Sequence, residues 1–196
     1  MAYIGQSVIG VEHPSTSALT ATSGTFSGIV TTDQIKNSSG KPILNSAGSV
    51  LQIQSGVSTA ASSINSTSYA DIPNMTATIT PSSTSSKILV QVSFGLIGST
   101  GTSDGCLMKL LRGSTEIGQG VSADTHNLFM QHYTGTNVTF EGATHIFVDS
   151  PSSTSALTYK IQWALTATND TFYINRRGND NFVRTASTFL LTEIAG

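Results

Sequence analysis

The chain of 196 residues and 20.4 kDa fits one domain with a short extension and is too small for two large domains. Its 29 Ser and 28 Thr make up about 29% of the residues and its charged residues only 10%, which excludes coiled coils and long solvated helices. The net charge of −2 gives no overall attraction for nucleic acid or for an anionic membrane. Because 38% of the residues are hydrophobic, the chain can still bury a core, and its mixture of Thr, Val, Ile and aromatic residues favours strands.

Residues 1–56 contain only four charged side chains, which are Glu12, Asp33, Lys36 and Lys41. Very short apolar pieces, the last of them at residues 50–53, alternate there with Ser- and Gly-rich breaks. Since two-stranded units are marginal on their own, such pieces need neighbours from other copies of the chain or from a larger particle. We therefore predict an extended, low-complexity attachment region over residues 1–56.

The chain start has neither a basic region nor a long apolar run, so we expect no signal peptide and synthesis in the host cytoplasm. No stretch approaches the roughly 18 to 20 apolar residues of a membrane helix, and we expect no membrane insertion. Cys106 is the only cysteine, which excludes an intrachain disulfide and a cysteine-based zinc site. Its apolar neighbours predict a small buried side chain.

From about residue 57 onward, apolar and polar residues alternate over longer segments. Such alternation indicates half-buried strands, and it is clearest over residues 87–97 and 157–165. In these two strands the predicted buried faces are Ile88, Val90, Val92, Phe94 and Leu96, and Leu157, Tyr159, Ile161, Trp163 and Leu165. Further strands are predicted at residues 75–80, 106–112, 115–119, 128–133, 138–149, 171–175 and 185–194.

The breaks between these strands predict how they connect. Gly113-Ser114 joins two predicted strands with a tight hairpin turn. Residues 81–86 and 151–155 are near-copies that each precede a long strand, and we interpret them as equivalent loops. About nine short strands with no amphipathic helix favour an antiparallel β-sandwich over residues 57–196, a jelly roll, with an immunoglobulin-like sandwich as the main alternative.

Two catalytic motifs match in letters but fail in context. Residues 101–105 read G-x-S-x-G, yet a serine nucleophile elbow needs a helix after it and a strand-like run follows here. Gly40-Lys41 resembles the end of a phosphate-binding loop, but Ile35 and Pro42 replace the first glycine and the magnesium-binding hydroxyl. Residues 101–105 are therefore predicted to be a surface turn.

Titratable side chains form no recognisable catalytic or metal-binding set. His126, His132 and His145 do not have the spacing of metal ligands, although one inward-facing His per chain around a threefold axis stays open. The acidic residues are scattered, and no pair stands out as a glycosidase pair. They are Asp104, Glu116, Asp124, Glu141 and Asp149. We expect no cofactor, no metal and no enzymatic activity.

The most polar and charged segment of the chain is residues 175–184. Arg, Asn and Asp beside an aromatic ring can hydrogen-bond to and stack on a sugar or a protein surface, so this segment is a candidate recognition loop. Residues 98–105 are a second candidate. The alternative for residues 175–184 is a strand-connecting turn whose arginines pair with acidic residues of a neighbouring chain. The candidate contact residues are Asn175, Arg176, Arg177, Asn179, Asp180, Asn181 and Arg184.

Several segments resemble proteins of tailed-bacteriophage virions. The start Met1-Ala-Tyr-Ile-Gly5 is similar to the start of tail-fibre and other virion proteins, and residues 24–52 resemble the shaft and attachment segments of such fibres. The segments 86–92, 111–118, 149–151 and 158–161 resemble the globular knob of that family. Residues 185–194 are also similar to the last strand of trimeric C1q/TNF-like jelly rolls.

The resemblance implies a short homotrimeric fibre located on the virion. Its N-terminal segment would dock on tail or capsid proteins, and its knob would contact a host cell-surface glycan or protein. The anchor residues we predict are Tyr3, Ile4, Ile9, Val11 and Phe26. Because many tail fibres are much longer, a capsid decoration or head-fibre protein that binds no receptor and a tail-tip component stay open as alternatives. A glycan-degrading enzyme is a third hypothesis.

Overall fold

The computed structural model describes residues 47–121, 126–133, 140–178 and 180–196. These residues form eleven strands and no helix, and all paired strands are antiparallel. The all-β class with antiparallel sheets is thereby confirmed, and each of the nine predicted strands overlaps an observed one. The strands are β1 (Val50–Ser58), β2 (Ser62–Ile64), β3 (Ala70–Ile79), β4 (Lys87–Ser99), β5 (Gly105–Arg112), β6 (Thr115–Ile117), β7 (Met130–Tyr133), β8 (Phe140–Asp149), β9 (Leu157–Leu165), β10 (Phe172–Ile174) and β11 (Ser187–Ile194). The predicted anchor residues Tyr3, Ile4, Ile9, Val11 and Phe26 lie outside the described residues.

The first sheet is built around β4, the longest strand. On one edge β4 pairs with β8, and on the other it pairs with β11 along its first half and with β10 near its end. β1 then pairs with β11, and β2 with β10. The sheet therefore has four rows of strands, with β8 at one edge and β1 and β2 at the other.

The second sheet is built around β5 and β9, which pair with each other. β3 pairs with the free edge of β9, while β6 and β7 pair with the free edge of β5. Gly113-Ser114 joins β5 to β6 and confirms the predicted tight hairpin. Gly113 has φ +61°, which a glycine adopts without steric cost at the first central position of such a turn.

The two sheets share one hydrophobic core, to which alternate residues of the long strands contribute. Both predicted buried faces are confirmed, with Leu157 partly buried at the margin. The alternation in β4 changes after Phe94, where the pairing with β8 shifts register, so that both Leu96 and Ile97 are buried. Cys106 is buried as predicted, and burial raises the pKa of its thiol.

β1 has an inverted polarity that the sequence pattern did not identify. Its register with β11 turns Gln52, Gly56 and Ser58 towards the inner side, opposite Glu193, Phe189 and Ser187, and turns Ile53 and Val57 outwards. Gly56 is required there, because a Cβ would come within 2.8 Å of the Asn74 carbonyl oxygen. The predicted boundary between residues 56 and 57 falls inside this strand.

The connections divide into two groups at opposite ends of the sheets. We call the end where the described chain begins, at Ala47–Ser49, the entry end. There the loop 80–86 joins β3 to β4, and the loop 150–156 joins β8 to β9. Because β3 pairs with β9 and β4 pairs with β8, the two loops lie side by side. This confirms them as equivalent loops. At the opposite, distal end lie the loops 100–104, 166–171 and 175–186.

Candidate functional site

The two predicted recognition loops lie next to each other at the distal end. Residues 176–178 contact the end of β4 so closely that a Cβ on Gly98 would come within 2.7 Å of the Gly178 backbone nitrogen. An isolated β-bridge between Arg176 and Arg184 joins the two arms of the 175–184 loop. The fold therefore brings together two segments that are about 75 residues apart in sequence.

Asn175 and Arg176 hold this loop in place through contacts with other residues of the same chain. Asn175 is fully buried at φ +62°, and its amide donates to the carbonyl oxygens of Ser58 (2.8 Å) and Ala60 (3.0 Å). Arg176 lies 4.0 Å from the centre of the Tyr173 ring, and its guanidinium donates to two backbone carbonyls of the loop. Asn175 thus offers no surface to a ligand, which corrects the role predicted for this residue.

The tip of the loop carries the exposed groups. Arg177 forms a two-pronged ion pair with Asp180, at 2.5 and 2.6 Å, and lies 5.0 Å from the ring of Phe182, which is 84% exposed. The Arg177 guanidinium and the backbone amide of Phe182 lower the pKa of Asp180. Arg184 donates to the Asn181 side chain at 3.0 Å. Arg177 therefore has an acidic partner within its own chain, and Asn179 lies outside the described residues.

Two buried aspartates hold the neighbouring distal loops together. Asp170 accepts hydrogen bonds from the backbone nitrogens of Ser103 (2.7 Å) and Asp104 (3.0 Å). Asp104 in return accepts from the backbone nitrogen of Asp170 (2.8 Å) and the amide of Asn169 (3.1 Å). Residues 101–104 connect β4 to β5, which begins at Gly105, so the strand that follows is the one predicted, and Asp104 is a structural group.

The three histidines weighed as metal ligands lie in different environments. His132 is buried against Phe172, and burial lowers its pKa, partly opposed by Glu141. His145 lies edge-on to Phe129, with ring centres 4.3 Å apart, and His126 is exposed. Within the described ranges, no three His, Cys, Asp or Glu side chains come close enough to share a metal ion.

The remaining acidic candidates do not form a catalytic pair in the described part of the chain. Asp149 is buried and accepts hydrogen bonds from Arg112 (2.6 Å) and Tyr159 (2.7 Å), which links β8 of the first sheet to β5 and β9 of the second. Glu141 is exposed on β8, whereas Asp124 lies outside the described residues. Asp149 is therefore a structural cross-link at the entry end.

The outward surfaces of the two sheets differ in charge. Three cross-strand rows of the first sheet form what we call the uncharged face, which Lys87 borders at the entry end. Four of its aliphatic side chains are at least half exposed. The outward surface of the second sheet instead carries the ion pairs Lys109–Glu116 and Lys160–Asp71. The uncharged face comprises Ile53, Ser55, Val57, Leu89, Gln91, Ser93, Thr144, Ile146, Val148, Thr188, Leu190 and Thr192.

A polar cleft of about 310 Å³ opens on the outward surface of the second sheet. Lys109 Nζ lies 2.6 Å from Glu116 Oε1 and 4.2 Å from the centre of the Tyr69 ring. Burial raises the pKa of Tyr69, partly opposed by Lys109, so its phenol is neutral at pH 7. The sequence pattern suggested other chemistry for Glu116 and His126 and did not reveal the cleft, because the walls of the cleft come from separate segments. Its lining residues are Tyr69, Lys109, Glu116, Gln119, His126 and Asn127.

Comparison of the sequence with protein-family models and with curated proteins gives no match. A separate search of the described residues for membrane spans finds no helix with the length and apolar character to cross a bilayer.

Proposed function

We propose that the protein is a non-enzymatic structural protein of a bacteriophage virion, a short trimeric fibre of the tail-fibre type. Its N-terminal segment docks on the particle, and its β-sandwich knob attaches to the host surface. The observation that carries the assembly part of this proposal is the uncharged face of the first sheet. The virion context rests on the sequence resemblance described above.

The uncharged face has the character of a surface between copies of the chain. Ile53, Val57, Ile146 and Val148 are 57%, 51%, 55% and 50% exposed, and their rows contain no charged side chain. In β1, Ile53 and Val57 point outwards while Gln52 points inwards, which is the reverse of a solvent-exposed edge strand. The four exposed aliphatic side chains lie on the two edge strands, β1 and β8, and exposed apolar groups without charged neighbours are typical of an interaction surface. A second copy covers it without introducing an unpaired charge.

The strand pairing supports the jelly-roll form of the sandwich. The chain forms nested antiparallel pairs, β1 with β11, β3 with β9, β4 with β8, and β5 with β6 and β7. Successive pairs alternate between the two sheets, as when one long hairpin wraps around a core. This nesting supports our proposal of an eight-row jelly roll.

The two ends of the knob are suited to two different tasks. The described chain begins at the entry end, where the Gly48 backbone nitrogen donates to the Ala195 carbonyl oxygen (2.8 Å). The candidate recognition loops lie at the distal end. The Arg177–Phe182 tip and the point where the described chain begins therefore lie at opposite ends of the two sheets.

The first test is the mass of the purified full-length protein by light scattering, followed by antibody labelling on intact particles. A trimer on the tail supports the fibre, a trimer over the head favours the decoration alternative, and a monomer contradicts the proposal. A second test is particle adsorption after replacing Arg177 with Ala. Loss of adsorption with an unchanged trimer supports host contact by the loop, whereas unchanged adsorption removes the loop from the proposal.

A further inference from the structure

The polar cleft on the second sheet is lined by one basic and one acidic side chain, together with His126 and three uncharged residues. The charges of Lys109 and Glu116 cancel within a single ion pair, and their side chains are 21% and 37% exposed, so both reach solvent. An ammonium group has three donors and a carboxylate several acceptor sites. One hydrogen bond between them leaves donors on Lys109 and acceptor sites on Glu116 for a neutral ligand that carries hydroxyl groups.

The other walls of the cleft complement such a ligand. Tyr69 contributes a half-buried aromatic ring with a neutral phenol, and Gln119 and Asn127 contribute side-chain amides. A pyranose ring has an apolar C–H face and a rim of hydroxyls that both donate and accept hydrogen bonds. The volume of about 310 Å³ lies at the lower limit of ligand clefts, about 300 to 1,000 Å³, and suits one sugar ring better than a long chain.

We propose that this cleft binds a neutral monosaccharide unit, as found at the end of a cell-surface glycan. The inference names a ligand class for the proposed knob, and it rests on the proposed function for its biological setting alone. The cleft opens on the sheet opposite to the uncharged face, so it stays accessible when that face is covered by other copies. It is also separate from the 175–184 loop.

Saturation-transfer NMR on the full-length protein tests the proposal. The probes are the methyl glycosides of glucose, galactose, mannose and N-acetylglucosamine at millimolar concentration, with N-acetylneuraminic acid as an anionic probe. We expect transfer to at least one neutral glycoside. Tyr69→Ala and Glu116→Ala are expected to weaken its binding about tenfold or more, because each removes a group that contacts the sugar.

Asp71→Ala is the matched control. Like Glu116→Ala, it removes the acidic partner of a lysine, in this case Lys160 at 2.9 Å, and it lies on the same sheet surface but outside the cleft. We expect Asp71→Ala to bind the glycoside at the wild-type level. Because Glu116 is more exposed than Tyr69, its replacement disturbs the fold less. Glu116→Ala therefore tests the site even if Tyr69→Ala fails to fold.

Three results would overturn the proposal: transfer to none of the neutral glycosides, transfer to the anionic probe alone, or unchanged binding by the Glu116 variant. Light scattering on the same samples keeps the two proposals apart. A trimer without saccharide binding contradicts only the cleft, whereas a monomer that binds the glycoside contradicts only the assembly.

Discussion

Replacing Thr144 with Lys places a charge within the uncharged face. Ile53, Val57, Ile146 and Val148 are each about half exposed in the single chain. Because full burial of such a side chain contributes about 1.5–3 kcal/mol, covering the exposed halves of all four contributes about 3–6 kcal/mol per subunit. An ammonium buried without a partner costs several kcal/mol, which offsets this contribution. We therefore expect Thr144→Lys to dissociate the assembly without unfolding the chain.

Thr78→Lys is the matched control. Both threonines are exposed on edge strands and hydrogen-bond across to a hydroxyl on the neighbouring strand, Thr144 to Ser93 at 3.2 Å and Thr78 to Thr158 at 2.8 Å, but Thr78 lies on the second sheet. Light scattering at micromolar concentration is expected to give three chains for the wild type and Thr78→Lys, and one for Thr144→Lys, with equal circular dichroism. A trimeric Thr144→Lys, or a Thr78→Lys that dissociates equally, would refute the role of this face.

Three further predictions concern the stability of the knob. Tyr159→Phe removes a buried hydrogen bond to the Asp149 carboxylate and is expected to lower the free energy of unfolding in urea by about 1.5–3 kcal/mol; a loss below about 0.5 kcal/mol would contradict the cross-link between the sheets. Burial lowers the pKa of His132 from its usual value of 6.5. As the pH drops below 6.5, His132 is therefore protonated in the unfolded chain before it is protonated in the folded chain, and the free energy of unfolding falls. Unfolding of His132→Phe should therefore depend less on pH between about 7 and 5, and an unchanged dependence would show that other groups cause it. Deleting residues 1–46 keeps all of β1, whereas deleting residues 1–56 removes most of β1 and exposes the edge of β11. We therefore expect only the longer deletion to lower the thermal midpoint of unfolding or to cause aggregation. Equal midpoints for the two deletions would mean that β1 adds little to the knob.

The strands that were easiest to predict are those that bury only one of their two faces. In β4 and β9, apolar and polar residues alternate because one face lies in the core and the other lies outside it. Gly113-Ser114 was recognisable for a similarly local reason, since a two-residue turn depends on backbone conformation at the turn itself. Such features depend on neighbouring residues, and the sequence contains that information.

β1 shows where this reasoning fails. Ile53 and Val57 point outwards and Gln52 and Ser58 point inwards. The short apolar pieces between Ser- and Gly-rich breaks predicted an attachment region here, although the strand pairs with β11 along its length. The polar residues are tolerated inside because tertiary partners satisfy them. Gln52, for example, donates to the carboxylate of Glu193 at 2.6 Å and to the Thr80 carbonyl oxygen at 2.7 Å.

Local composition and periodicity were enough to predict the all-β class, the positions of nine strands and the polar loop before β11. The tertiary structure alone decided which loops share the distal end, that Asn175 is buried, that one sheet carries an uncharged face, and that Tyr69, Lys109 and Glu116 line one cleft. These features depend on which strands pair and in what register. Such pairing joins residues far apart in the chain, and no local pattern records it.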